Sequence, residues 1–241
     1  MALDAKLVKT KPDYQQAKQQ LSDTNRRIAE AKLLSLRMQM NPHFVFNSLN
    51  AINNFVLQND SEQASRYLTV FATLMRQILA NTQTDWVSLH DELIALRSYI
   101  ELEQLRCDGH FDVDVQIDAA LNAYTVQVPP LLIQPYVENA IRRGLLPQLN
   151  GHPQLKINCK RAGNQLSISI ADNGIGRAAA ASMHARSMAE NQLQGSQVAE
   201  ERIALVNDIY GVDAHIESLD LVTTDGQPAG TCITFTQNLK P

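Results

Sequence analysis

His43 follows Asn41-Pro42 in the stretch "QMNPHFVFNSLNAINNFV", and its setting suits a reaction. At helical pitch His43, Asn47, Asn50 and Asn54 share one polar face, away from the apolar stripe Val45, Leu49, Ile52 and Val56. That placement predicts a solvated imidazole. With a pKa of about 6.5 such a ring is largely neutral near neutral pH, and a neutral ring nitrogen is a nucleophile. Asn47, one turn on, is placed to orient the ring. An ordinary surface histidine beside a surface asparagine fits the helix taken alone equally well. Pro42 deprives the Met38 carbonyl of its helical partner, so the chain is bendable beside the histidine.

Three further groups carry chemistry. In "VPPLLIQPYVENAIRRGL" Asn139 shares the polar side of a helix with Arg142 and Arg143. An amide oxygen is a hard ligand suited to Mg²⁺, and a guanidinium holds phosphate oxygens. A solvated helix face is the plainer reading of that stretch alone. In "LSISIADNGIGRAA" an alternating strand ends in Ala171 and is followed by Asp172, Gly174 and Gly176. A buried carboxylate there can accept a hydrogen bond from an exocyclic amine such as adenine's, and the glycines permit close approach of a ligand. Asp-Asn-Gly is also a common turn. In "GSQVAEERI" Gly195 is expected to precede a helix whose first amides can meet phosphate. "AGTCITF" places Thr231 just before an inward-facing strand.

The elements that must position these groups are legible from periodicity. Tyr14–Met40 carries a thin seam of Leu21, Ile28, Leu34 and Met38, which reads as a coiled-coil linker or a single solvated helix. After Pro42 the apolar stripe is widened by Phe44 and Phe55. "QNDSEQ" then breaks the pattern with capping residues, and Ala64, Leu68, Phe71, Met75 and Ile78 form a second stripe. Two such helices make a hairpin that cannot bury both stripes alone, so a homodimer closing a four-helix bundle is expected. A third helix is predicted over Leu89–Arg106. "HFDVDVQID", "LKINCKRAGNQLSISI" and "GTCITFTQNL" alternate as strands, interleaved with helical patterns at Leu131–Arg143 and Val198–Tyr210. The expected fold class is α+β: a dimerising helical hairpin, then a two-layer α/β sandwich. The division expected is 1–40 linker helix, 41–84 hairpin and 85–241 sandwich.

Composition narrows the function. The 241 residues are 44% hydrophobic and 19% charged with a net charge of −4, and no basic patch argues for a nucleic-acid partner. Cys107, Cys159 and Cys232 are scattered without metal-ligand spacing, which fits a reducing cytoplasmic setting. No apolar run reaches the roughly 20 residues that span a bilayer. A cytoplasmic chain, or the cytoplasmic portion of an inner-membrane sensor with its sensor segment upstream, is expected.

Taken together and in order, "NPHFVFNSLN", "LHDELIALRSYIELEQLR", "VPPLLIQPYVENAIRRG", "DNGIG" and "EERIALVNDIYG…GTCITF" resemble the LytS/YehU-type sensor histidine kinases, from about Leu34 to the end. The resemblance implies a GHKL (Bergerat) ATP-binding fold using ATP and Mg²⁺, a homodimer, and phosphoryl transfer to the aspartate of a response-regulator receiver domain. It implies that His43 is the phosphoacceptor, that Asn139 is the Mg²⁺ ligand and that Asp172 contacts adenine. Gly174, Gly176 and Gly195 would form the nucleotide loops, Thr231 would support adenine through water, and Arg142 and Arg143 would meet phosphate. Arg142 stands where the family usually has lysine and Arg143 where it usually has histidine. Leu193, Ser196 and Val198 depart from the usual second glycine box. The segment Arg177–Gln194 is expected to lie over the nucleotide as a lid. A catalytically weak ATP-binding scaffold is the alternative, and a stand-alone ATPase would leave the hairpin unexplained.

Overall fold

The computed structural model describes residues 2–38, 42–107, 109–148, 151–184 and 190–239. Helix α1 spans Ala2–Met38, α2 Pro42–Leu57 and α3 Ser61–Thr82. Contrary to expectation Pro42 does not interrupt a helix: α1 ends at Met38 and Pro42 opens α2, where its missing N–H costs no helical bond. Asp60 caps α3, its side chain accepting the Gln63 N–H at 3.0 Å. After the short strand β1 (Val87–Ser88) comes α4 (Leu89–Arg106), whose Ser88 cap accepts the Asp91 N–H at 3.0 Å.

The rest is a mixed five-stranded sheet with helices. Its strands are β2 (Asp112–Ile117), β4 (Gln154–Ala162), β5 (Gln165–Asp172), β6 (His215–Val222) and β7 (Pro228–Asn238), in the order β2-β4-β5-β7-β6. β2 and β4 run parallel and the other pairs antiparallel. β3 (Gln127–Val128) pairs with β1 in a separate ribbon. Helix α5 (Gln134–Asn139) runs into a π-helical turn, Ala140–Leu145, and α6 (Gly176–His184) and α7 (Glu190–Tyr210) follow β5. The fold class is therefore α+β, as expected. Strand alternation sets the core: Leu155, Ile157 and Cys159 of β4 and Leu166, Ile168 and Ile170 of β5 are buried on one face.

The hairpin stripes divide differently from expectation. Within the protomer α2 buries Phe44, Ser48 and Ala51, while Leu49 and Val56 of the predicted stripe stay exposed. On α3 the buried residues include Tyr67, Leu74 and Ile78, and Leu68 is exposed. The reason is α4. The Phe44 ring lies 5.4 Å from Tyr99 of α4 and 6.2 Å from Phe71, so α4 covers the Phe44 side of the hairpin. α1 packs against α7 and α3, and its Leu33 and Leu36 are buried.

Two other expectations are corrected, and one strand is added. The helix predicted from Leu131 begins at Gln134, because Pro129-Pro130 and a left-handed Leu131 (φ 55°) precede it. α7 begins at Glu190, so Gly195 lies inside the helix rather than before it; the good helix formers Glu190, Gln192, Leu193 and Gln194 carry it through the glycine. β6 was not foreseen, since "HIESLDLV" is an edge strand exposed along most of its length. Of the expected lid, 177–184 belongs to α6 and 190–194 to α7, and 185–189 lie outside the described residues.

Phe44→Ala is expected to cost about 3–5 kcal/mol, the range for removing a buried aromatic ring. Denaturant unfolding checks this, and an unchanged midpoint would show that the hairpin does not depend on α4.

Candidate functional site

Alternation along β5 places Asp172 on the same inner face as Ile168 and Ile170, and the register sets it beside Leu155 of β4 and Thr231 of β7. Asp172 is 5% exposed. Oδ1 accepts the Gly174 N–H at 3.0 Å. Burial pushes the Asp172 carboxyl up to about 6, against the pull of the Gly174 and Thr231 backbone N–H groups.

Three glycines make room for it. A Cβ on Gly144 would lie 2.6 Å from Asp172 Oδ1, and one on Gly174 would lie 2.2 Å from the Gly144 carbonyl. Gly230, at φ 115°, would carry a Cβ 1.9 Å from the Asp172 carbonyl oxygen. The π-helical turn brings Gly144 in: its carbonyl accepts the Ile175 N–H at 3.1 Å, tying the turn to the loop after β5. Sequence reasoning assigned no role to Gly144 or Gly230. Gly144 closes a helical run and so reads as a cap; Gly230 reads as a turn.

Asp172 opens onto a cavity of about 800 Å³, within the usual range for small-molecule sites. Ile170, Ala140, Ile203 and Ile233 supply apolar walls suited to a flat ring. Thr231 stands beside Asp172, and Asn139, Arg143 and Glu200 bring polar groups from α5, the π-helical turn and α7. Gly176 and Arg177 line the α6 side, where Arg177 binds Asp220 of β6 through two hydrogen bonds of 2.6 and 2.8 Å.

The residues singled out in the sequence thus separate. Asn139, Arg143, Asp172, Gly176 and Thr231 share one cavity. Gly174 supports it from behind by packing on Gly144. Arg142 turns away: its Nη1 donates to Glu138 at 3.1 Å, and its charge acts on Tyr67 and Tyr99 toward the hairpin. Gly195 is placed only as backbone within α7. Asn47 is half-buried on α2, outside the cavity lining. His43 belongs to the first turn of α2, and its side chain lies outside the described residues.

Among the described residues no cluster of His, Cys, Asp or Glu could cage a metal. An amide oxygen such as that of Asn139 fits a Mg²⁺ that keeps its waters and is held mainly by a ligand's phosphates. Tyr136, also lining the cavity, was not foreseen; its hydroxyl is buried and meets no hydrogen-bond partner among the described residues.

Residues 31–111 match the family model described as histidine kinase. The chain is 36% identical over 150 residues to the Sensor protein LytS of Oceanobacillus iheyensis, a match covering 62% of this chain and 25% of that protein. It is 34% identical over 146 residues to the Sensor histidine kinase BtsS of Escherichia coli K12, covering 61% and 25%. The chain thus spans about a quarter of the length of the curated relatives it matches. Among solved structures, a mycobacterial sensor histidine kinase MprB aligns with a TM-score of 0.45 at 14% identity, covering 65% of this chain and 97% of that one. Among the described residues no helix is long and apolar enough to cross a membrane.

Two substitutions should affect stability differently. Gly144→Ala forces a methyl into Asp172 and is expected to cost about 1–3 kcal/mol. Tyr136→Phe removes an orphaned hydroxyl and is expected to leave the melting temperature unchanged or raised. Thermal melts check both, and a stable Gly144→Ala protein would rule out the cradle.

Proposed function

We propose, from the similarity of this chain to LytS-type sensor histidine kinases, that it binds Mg-ATP in the Asp172 cavity, phosphorylates its own His43 and passes the phosphoryl group to an aspartate of a response regulator. The observation that carries the reading is one cavity joining a buried carboxylate acceptor, Asp172, to a metal-suited amide, Asn139. Asp172 accepts the exocyclic amine of adenine and Thr231 supports the same edge. The apolar walls hold the ring, and Arg143 faces the phosphates. Bound Mg²⁺ would neutralise phosphate charge; the chain's own part is to orient it through Asn139.

The transfer itself needs little covalent chemistry from the chain. A neutral ring nitrogen of His43 attacks the γ-phosphorus, a P–N bond forms, the bond to the β-phosphate oxygen breaks, and ADP leaves. Catalysis is then positioning and charge stabilisation. Asn47, one turn along α2, is the proposed orienting residue. Pro42, as the first residue of α2, lets the chain turn there without losing a helical bond.

The working unit we infer is a homodimer. Phe46, Leu49 and Val56 of α2 and Leu68 and Leu79 of α3 are each half or more exposed in the single protomer. Helical spacing aligns them into an apolar surface that a second hairpin would cover as a four-helix bundle. The proposed setting is the cytoplasm, with 1–40 as the linker helix, 41–84 as the phosphoacceptor hairpin and 85–241 as the ATP-binding unit.

Incubation with γ-labelled ATP tests the reading. The parent protein should take up label that is acid-labile and base-stable, and His43→Gln should take up none while keeping its ATP affinity. Label persisting on His43→Gln would exclude His43 as acceptor. ATP binding without any labelling of the parent would favour a nucleotide-binding scaffold. Leu49→Asp, at an exposed position, should give a folded monomer by light scattering where the parent is a dimer at micromolar concentration. A monomeric parent would contradict the bundle.

A further inference from the structure

The segment leading into α5 is held by two charged side chains that the cavity does not include. Residues 129–133 are all buried, and Leu131 adopts φ 55°, an unfavourable conformation for a branched side chain. Glu92 of α4 is 2% exposed, and its Oε2 accepts the Leu131 N–H at 2.9 Å. The N–H groups of Leu132 and Ile133 also act on that carboxylate. Arg202 of α7 is 7% exposed and donates from Nη2 to the Pro130 carbonyl at 3.1 Å. Its charge favours the ionised form of Glu92, although burial pushes that carboxyl up to about 7.

Such groups are costly to bury, and no local feature replaces them. α5 has no side-chain cap of its own; Ile133 occupies the capping position. Glu92 instead holds, from another helix, the N–H groups of the turn immediately before α5. Asn139 is the last residue of α5. The clamp thus fixes the start of the helix that carries it. Each arm also comes from a different part of the molecule. α4 covers the Phe44 side of the hairpin, and α7 brings Glu200, Ile203 and Asn207 to the cavity. Removing either arm would loosen the start of α5 against α7, while Asp172 stays anchored in β5 by its strand pairing and by the Gly174 N–H.

We propose that Glu92 and Arg202 are positioning residues for the metal–phosphate end of the nucleotide site, setting Asn139 against α7 through the turn at 130–133. The proposal rests on the reading of Asn139 as the Mg²⁺ ligand. It separates the two ends of the site: the adenine end depends on Asp172 and the metal end on the clamp.

Calorimetric titration of the full chain with AMP, and with ADP with and without Mg²⁺, reads the two ends separately. Glu92→Gln keeps the shape and one acceptor oxygen but removes the charge. Arg202→Met keeps the aliphatic stem and removes the donor. Each is expected to bind AMP within about twofold of the parent. Each should lose about tenfold or more of the affinity that Mg²⁺ adds for ADP, the scale found when groups supporting a metal ligand are removed. Should Glu92→Gln fail to fold, Arg202→Met carries the test. An undiminished Mg²⁺ effect in a folded variant would overturn the proposal. Equal loss for AMP and Mg-ADP would also overturn it, since that marks a general structural role. A parent that binds AMP but shows no Mg²⁺ effect with ADP would instead sink the Asn139 reading and the proposal with it.

Discussion

A carboxylate pressed against bare backbone is the constraint around which this site is built. Asp172 ends a core strand, and the glycines at 144, 174 and 230 are the positions where a single methyl group would collide with it or with the backbone that holds it. The contact joins β5, the π-helical turn and β7 at one point, and the cavity opens from there. It is maintained at a cost. Burial raises the carboxyl to about 6, so its ionised form is worse off folded than unfolded. Stability is therefore lost as pH rises from the ordinary carboxylate range through about 6, by about 1.4 kcal/mol for each pH unit between the two. A ligand amine that donates to the carboxylate would offset part of that cost, which is why the arrangement suits binding better than bare folding.

The helix α4 links this site to the hairpin. At one end Glu92 holds the turn before α5; further along, the Tyr99 ring meets Phe44, the residue after His43. Between and beyond them lies a buried polar row: Tyr99 donates to Glu103 at 3.4 Å, Glu103 pairs with Arg106, and Tyr67 of α3 donates to Ser48 of α2 at 3.4 Å. Buried polar groups of this kind tolerate few alternative arrangements, because each lost partner leaves a desolvated group behind. The hairpin and α5, which lines the cavity, are thus referenced to one common element.

Much of this was legible because period and chemistry agreed. α4 matches its predicted limits, Leu89–Arg106, and the alternation of "LKINCKRAGNQLSISI" marked both central strands; the structure extends the second by one residue, so that Asp172 continues its inner face. What escaped depends on partners distant in sequence. Glu92 reads as one more surface acid in an acidic helix start; only the fold shows the Leu131 amide against it. Gly144 reads as a cap, and only β5 reveals that a side chain there would strike Asp172. The edge strand β6 has little burial to impose alternation, so its pattern carried no signal. The stripe on α2 was divided between two faces because α4 competes for Phe44, a contact no single-helix projection contains.

The most direct test is nucleotide affinity as a function of pH, measured by calorimetry for the parent and for Asp172→Asn. With the carboxyl near 6 in the free protein, the parent should hold its affinity above about pH 7 and weaken progressively as pH falls through 6. Asp172→Asn should bind weakly at every pH and lack that component; comparing the two proteins cancels the titration of the nucleotide itself. A parent and variant with equal affinity and the same pH dependence would show that the buried carboxylate does not recognise the ligand.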